Sequence, residues 1–241
     1  MKKKIAIVAA FFLFGAAGCG QEEPNLTVDY VALGDSLAAG QTPYAEIGPG
    51  YADMIAEELD EKEQLAAFTK ELAVSGFTTD NVLEGLESEE ASEIVESADI
   101  ITISAGANDL LRLVQVNDTN GHVSFDENQV NEELDDVRKN MEAILTALKS
   151  EAPGAQVYVM GYYFPFPHLQ DSQKEELAEQ LDRLNEILKS VAEQQGAFFV
   201  PVDEAFGEGA IEKLPNADDI HPNREGYEAM AEAFFDTYKN Q

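Results

Sequence analysis

The chain of 241 residues has no tryptophan, one cysteine, and only 15 lysines and arginines against 47 aspartates and glutamates. Each shortage excludes something. A single cysteine leaves no intramolecular disulfide to staple the fold. A formal net charge of −32 repels phosphate backbones, so nucleic acid is excluded as a partner, and self-repulsion keeps such a surface in solution. Long hydrophobic runs are missing too: the stretch from Ile5 to Phe14 falls short of the about 20 residues that a membrane-spanning helix needs. Histidine is scarce, with three residues, so a search for a general base is confined to His122, His168 and His221.

What stands at the N-terminus is MKKKIAIVAAFFLFGAAGC: lysines, a short apolar run and small residues, the layout of a secretory signal peptide over residues 1–19. The segment Ala16-Ala17-Gly18-Cys19 resembles the bacterial lipoprotein box, although Ala16 stands where leucine is usual. The resemblance implies a cysteine, Cys19, that carries fatty-acyl chains such as palmitate and becomes the first residue of the mature protein. Residues 20–27 then read as a polar tether, with one domain over 28–241, lipid-anchored on the extracellular face of a bacterial cell membrane and monomeric.

Short apolar runs alternate with longer amphipathic stretches, the order of βαβ units around a parallel sheet. The pattern predicts strands near 28–33, 69–74, 98–104, 155–161 and 197–202, and helices over 50–60, 79–88, 127–150, 171–195 and 223–238. In the helix over 171–195, Leu177, Leu181, Leu184, Ile187, Leu188 and Val191 fall at helical spacing and read as core. Ligands of an open parallel sheet bind beyond the carboxyl ends of its strands, so functional groups are sought there.

Those ends hold Gly34-Asp35-Ser36-Leu37, Val74-Ser75-Gly76-Phe77 and Gly106-Ala107-Asn108-Asp109. Ser36 offers a hydroxyl, Gly76 a backbone N–H unshielded by a Cβ, and Asn108 a neutral amide donor; together they suit attack on a carbonyl and stabilisation of the oxyanion that follows. A serine hydroxyl needs a base within hydrogen-bond reach. His221 in NADDIHPN is the choice, because a neighbouring carboxylate can fix its tautomer. Asp218 is taken as that carboxylate, with Asp219 as the alternative, while Asp35 and Asp109 are expected to brace loops.

Four blocks in this order, GDSL at 34–37, AVSGFTT at 73–79, GAND at 106–109 and DDIHPN at 218–223, resemble those of the GDSL or SGNH hydrolases across essentially the whole domain. The resemblance implies a three-layer α/β/α sandwich with a flavodoxin-like parallel sheet of about five strands, and no metal or organic cofactor. It implies Ser36 as nucleophile, His221 as base and Asp218, three residues before the base, as its partner. The oxyanion hole is implied to comprise the backbone N–H groups of Ser36 and Gly76 with the Asn108 amide.

The expected activity is hydrolysis of a carboxylic ester through an acyl-enzyme. Tyr44, Tyr51, Phe77, Leu110, Leu111 and the run Tyr162 to Phe166 are candidates for an apolar acyl site. Short or medium acyl esters, lysophospholipids, thioesters, and O-acetyl groups on wall polymers all remain open as substrates. The alternative from another class is a surface lipoprotein that binds a lipid or glycan in the same cleft without turnover. Residues 116–127 partly match a calcium loop, but Val116 stands where its first carboxylate belongs, and a polar insertion is the preferred reading.

Overall fold

A strand apolar on both faces belongs inside a sheet that is covered on both sides. β1 (Val28–Gly34) and β3 (Ile100–Ser104) are such strands, the last five residues of the first and all five of the second being buried. In the computed structural model, which describes residues 27–116 and 123–239, they pair in parallel at the centre of the sheet. β2 (Leu65–Ala73) adds to the far side of β1, and β6 (Gln156–Met160) and β7 (Phe198–Val200) follow β3, giving the order β2-β1-β3-β6-β7. A small antiparallel hairpin of β4 (Gln115–Val116) and β5 (Val123–Ser124) stands apart.

The long helices are α2 (Tyr51–Glu61), α6 (Glu127–Glu151), α7 (Asp171–Gln195) and α10 (Arg224–Lys239). α2 packs on α10, while α6 packs on α7 and also meets α3 (Thr79–Gly85) and α4 (Glu89–Glu96). Helices therefore flank the five-stranded sheet, as the expected α/β/α sandwich requires. The buried stripe of α6 runs through Val130, Leu134, Val137, Met141 and Leu148 at helical spacing. Short pieces complete the chain: α1 (Ser36–Ala39), α5 (Ala107–Leu111), α8 (Val202–Phe206), a 3₁₀ turn (Gly207–Gly209) and α9 (Ala210–Lys213).

Three differences from the sequence-based expectation have physical causes. β2 starts at Leu65, ahead of the expected residue 69, because it is an edge strand with exposed and half-buried residues and lacks a continuous apolar run. α4 was not expected: its composition is acidic, and Ala91 and Val95 are its buried residues. Leu177 and Leu181 are half-buried where the periodicity predicted core: both line a cleft, and Leu181 also packs against the edge of the core.

Gly34 positions the site. With φ +125°, it lets β1 turn sharply, and a Cβ there would stand 2.0 Å from the Ser104 carbonyl oxygen. The Asp35 backbone N–H donates to that same oxygen at 2.8 Å, so the residue before Ser36 is fixed to the end of the neighbouring strand.

The signal segment, Cys19 and most of the tether lie outside the described residues, as do His122 and the centre of the 116–127 loop. Among the described residues, no helix is long and apolar enough to cross a membrane, and no group of three or more His, Cys, Asp or Glu side chains is placed to hold a metal ion.

Candidate active site

Ser36 opens α1 directly beyond β1, and the chain's last long loop brings His221 to it. Ser36 Oγ lies 2.9 Å from His221 Nε2, and His221 Nδ1 lies 2.7 Å from Asp219 Oδ1. The carboxylate can only accept, so Nδ1 carries the ring proton and Nε2 is free to accept from the serine. Both Ser36 and His221 are 8% exposed. The pair is shielded, yet it opens into a cleft.

The partner of His221 is Asp219, not Asp218. Asp219 Oδ1 also accepts the His221 backbone N–H at 2.7 Å, closing a turn in which an aspartate side chain bonds the backbone two residues on. Asp218 is exposed, and its backbone N–H donates to Asn216 Oδ1 at 3.1 Å. The alternative kept open in the sequence is thus the arrangement observed, and the two-residue spacing of an Asx-turn was the signal that favoured it.

Several bonds hold this loop over the serine. Tyr163 Oη donates to the Ile220 carbonyl at 2.8 Å, and its ring stacks on Phe206 at 4.0 Å between centroids. The Asn216 amide donates to the Pro43 carbonyl at 2.7 Å, which links the loop to the segment following α1. His168 has a structural place, with Nε2 2.7 Å from the Leu214 carbonyl oxygen.

Asp35 sits directly behind the serine, 1% exposed. It accepts from the Leu37 N–H at 3.0 Å, Ser104 Oγ at 2.8 Å and Tyr162 Oη at 2.6 Å. Burial pushes its carboxyl above the ordinary range, against the pull of these bonds and of the His221 charge. Tyr162 is itself clamped, its backbone N–H and carbonyl both engaged by the buried Asn185 side chain at 2.9 and 2.8 Å. Neither the clamp nor its asparagine was legible in the sequence, where Asn185 is a polar interruption in an apolar stripe.

Asn108 lines the cleft with Ser36 and His221, and its Nδ2 donates to the Phe77 carbonyl at 2.8 Å. The amide has a second hydrogen to offer. Gly76, with φ +85°, precedes Phe77 in the turn that Asn108 holds, but is not itself part of the cleft wall. Asp109 ties the same two loops together by accepting from the Thr79 N–H and, at 2.6 Å, from Thr79 Oγ1. Its carboxyl too is raised by burial, with the Thr79 bonds opposing.

The cleft, about 90 Å³, runs away from Ser36 between α5 and α7 beneath the segment after β6. Leu110 and Leu111, Phe164 and Phe166, and Leu177 and Leu181 line it from these three sides. Tyr44, Tyr51 and Phe77, the other acyl-site candidates, do not: Tyr44 is 72% exposed, Tyr51 is fully buried behind the site, and Phe77 packs on the core.

A parallel five-stranded α/β sheet with a serine, a histidine and an asparagine converging at its carboxyl edge defines a class of hydrolase. The GDSL-like lipase/acylhydrolase family model matches residues 32–229, and the chain belongs to that family. It is a carboxylic ester hydrolase. The spore germination lipase LipC of Bacillus licheniformis is 30% identical over 217 residues, covering 86% of this chain and 94% of that protein. Among solved structures, the lipase Lip_vut3 from a goat rumen metagenome superposes with a TM-score of 0.72 at 26% identity, covering 88% of this chain and 97% of that one. The acetylxylan esterase Axe2 of Geobacillus stearothermophilus shares the fold, with a TM-score of 0.62 at 20% identity over 88% of this chain and 94% of its own.

Proposed function

We propose that the protein hydrolyses acyl esters through an acyl-enzyme formed on Ser36, with His221 as general base and Asp219 as its partner. The observation that carries this is the 2.9 Å approach of Ser36 Oγ to His221 Nε2 at the mouth of an apolar cleft. Ser36 Oγ attacks the ester carbonyl while Nε2 takes its proton. The resulting imidazolium is stabilised by Asp219, and the tetrahedral oxyanion by the second Asn108 amide hydrogen with the backbone N–H of Ser36, while Gly76, which stands outside the cleft wall, shapes the turn that Asn108 holds. Collapse expels the alcohol, which receives the proton from Nε2; water, deprotonated by the same nitrogen, then releases the acid and regenerates the serine.

The leucine and phenylalanine walls favour an acyl group with hydrocarbon character: short or medium acyl esters, lysophospholipids or thioesters ahead of O-acetyl groups on a polymer. We further propose that Cys19 is acylated and tethers the enzyme to the outer face of the membrane. The supporting observation is the lipobox-like segment, and fatty-acid labelling of the wild-type chain and of Cys19→Ala tests it.

Hydrolysis of a chromogenic ester series, acetate through octanoate, by the full chain and by Ser36→Ala tests the activity. Turnover lost in the variant, with the longer acyl chains preferred by the wild type, is expected. Turnover that survives Ser36→Ala removes the serine from the mechanism.

A further inference from the structure

A second polar side chain reaches the back of the imidazole. The Gln41 side-chain amide, oriented with its nitrogen Nε2 toward the ring, lies 3.3 Å from His221 Nδ1, on the edge of the ring that points away from Ser36. Gln41 was not among the candidate residues, and nothing in its sequence context marks it.

Its placement is nevertheless tightly determined. Gly40, with φ +85°, turns the chain out of α1, and any Cβ there would stand 2.2 Å from the Gly48 carbonyl oxygen. The Gln41 N–H donates to the Ser36 carbonyl at 2.9 Å, and the Gln41 carbonyl accepts from the buried Tyr227 Oη of α10 at 2.6 Å. The residue also makes an isolated bridge to Ile47. A backbone held from three directions aims its side chain with little conformational freedom left to lose.

The chemistry of Nδ1 decides which end of the amide can help. Nδ1 already carries the proton that Asp219 accepts, so an N–H placed against it would meet a donor with a donor. An amide turns end for end about its last torsion, and its oxygen can accept where its nitrogen cannot. We propose that Gln41 is a positioning residue for the base. Its amide oxygen shares the Nδ1–H of His221 with Asp219 and so holds the ring in the tautomer and orientation that leave Nε2 free for the serine proton. The inference rests on His221 being the base, as proposed above.

The arrangement has a consequence for turnover. The Nδ1–H bond strengthens as the ring becomes cationic, so a second acceptor contributes more in the transition state than in the resting enzyme and acts on kcat. The other titratable groups that act on this ring are Asp219 on its own loop and Asp35 behind Ser36; Tyr163 after β6 and Tyr227 on α10 stand nearby, bonded to the Ile220 and Gln41 carbonyls. All stay in place in the variants below.

The test compares Gln41→Met, which keeps length and removes the acceptor, with Gln41→Glu, which can only accept, in the full-length protein with a soluble ester. Gln41→Met is expected to lower kcat roughly tenfold with KM little changed, and to move the acid limb of the kcat/KM profile to lower pH. Gln41→Glu is expected to hold kcat close to wild type and to move that limb to higher pH, because a second carboxylate favours the imidazolium. A methionine variant with wild-type kcat and pH profile overturns the proposal, whatever happens to its melting temperature. So does a glutamate variant that falls as far as the methionine one, which would mean that the amide acts as a donor. His221→Ala run in parallel separates the two levels: if it keeps turnover, the assignment of the base itself is wrong.

Discussion

Tyr163 Oη donates a hydrogen bond to the carbonyl of Ile220, the residue immediately before His221. A side chain that follows one strand thus holds a loop formed 57 residues later in the chain. Replacing Tyr163 by Phe keeps the ring on Phe206 and leaves the Ile220 carbonyl without this donor. A loss of about 1 kcal/mol of stability is expected from chemical unfolding, with a fall of several-fold in kcat as the histidine loop loosens.

The two neighbouring aspartates separate cleanly by mutation. Asp219→Asn retains the shape and removes the charge that fixes the imidazole tautomer, so kcat is expected to drop by roughly 10³- to 10⁴-fold. Asp218→Asn alters an exposed side chain and is expected to leave kcat/KM within about twofold of wild type. Steady-state kinetics on one ester decides it. The reverse ranking would assign the partner to Asp218.

Asn108 combines two tasks. Its bond to the Phe77 carbonyl shapes the adjoining turn, and in the proposed mechanism its other amide hydrogen serves the oxyanion. Asn108→Ala is expected to lower kcat about 10²- to 10³-fold, beyond what a loosened turn would cause. Saturation kinetics that showed a raised KM and unchanged kcat would make Asn108 a substrate-binding group instead.

The buried Asp35 carboxyl gives a pH dependence of stability whose sign can be worked out. Its pKa in the folded protein stands above the ordinary 3.8 because burial disfavours the charge. The native state therefore binds this proton more tightly than the unfolded chain does. That contribution to stability is fully present below the unfolded value and is lost as pH rises through the folded one. Unfolding of the wild type and of Asp35→Asn from neutral pH down to about pH 4 is expected to show the difference moving in favour of the wild type. Taking the difference removes the self-repulsion of the acidic surface, which both proteins share.

The strands were legible where burial on two faces forces a continuous apolar run, as in Ile100–Ser104, and the long helices where an apolar stripe recurs over many turns, as in α6. Pieces of a turn or two, such as α1 and α5, carry too few residues for a period to show. The serine, histidine and asparagine were legible because each stands at a strand end or in a marked loop. Asp219 was ranked behind Asp218 and Gln41 was not singled out, since the direction of a side chain in a loop is set by bonds to distant parts of the chain: those to Tyr163 and Pro43 for the loop of the first, that to Tyr227 for the second. The leucines of α7 show the same limit. One helical stripe serves the core at its C-terminal end and the cleft at its N-terminal end, and no periodicity distinguishes the two.

Ser36 and His221 meet across 185 positions of the chain, and Tyr227 of the last helix fastens the segment that follows the serine. Such a long-range contact closes only after nearly every intervening element has found its place, and the entropy of that closure is recovered late in folding. With Ser36 and His221 in the proposed roles, a nascent or truncated polypeptide that has not docked its final helix carries the serine without a base. Its hydroxyl is then no more reactive than that of any other serine, so the appearance of esterase activity marks the moment at which the C-terminus has taken its place in the fold.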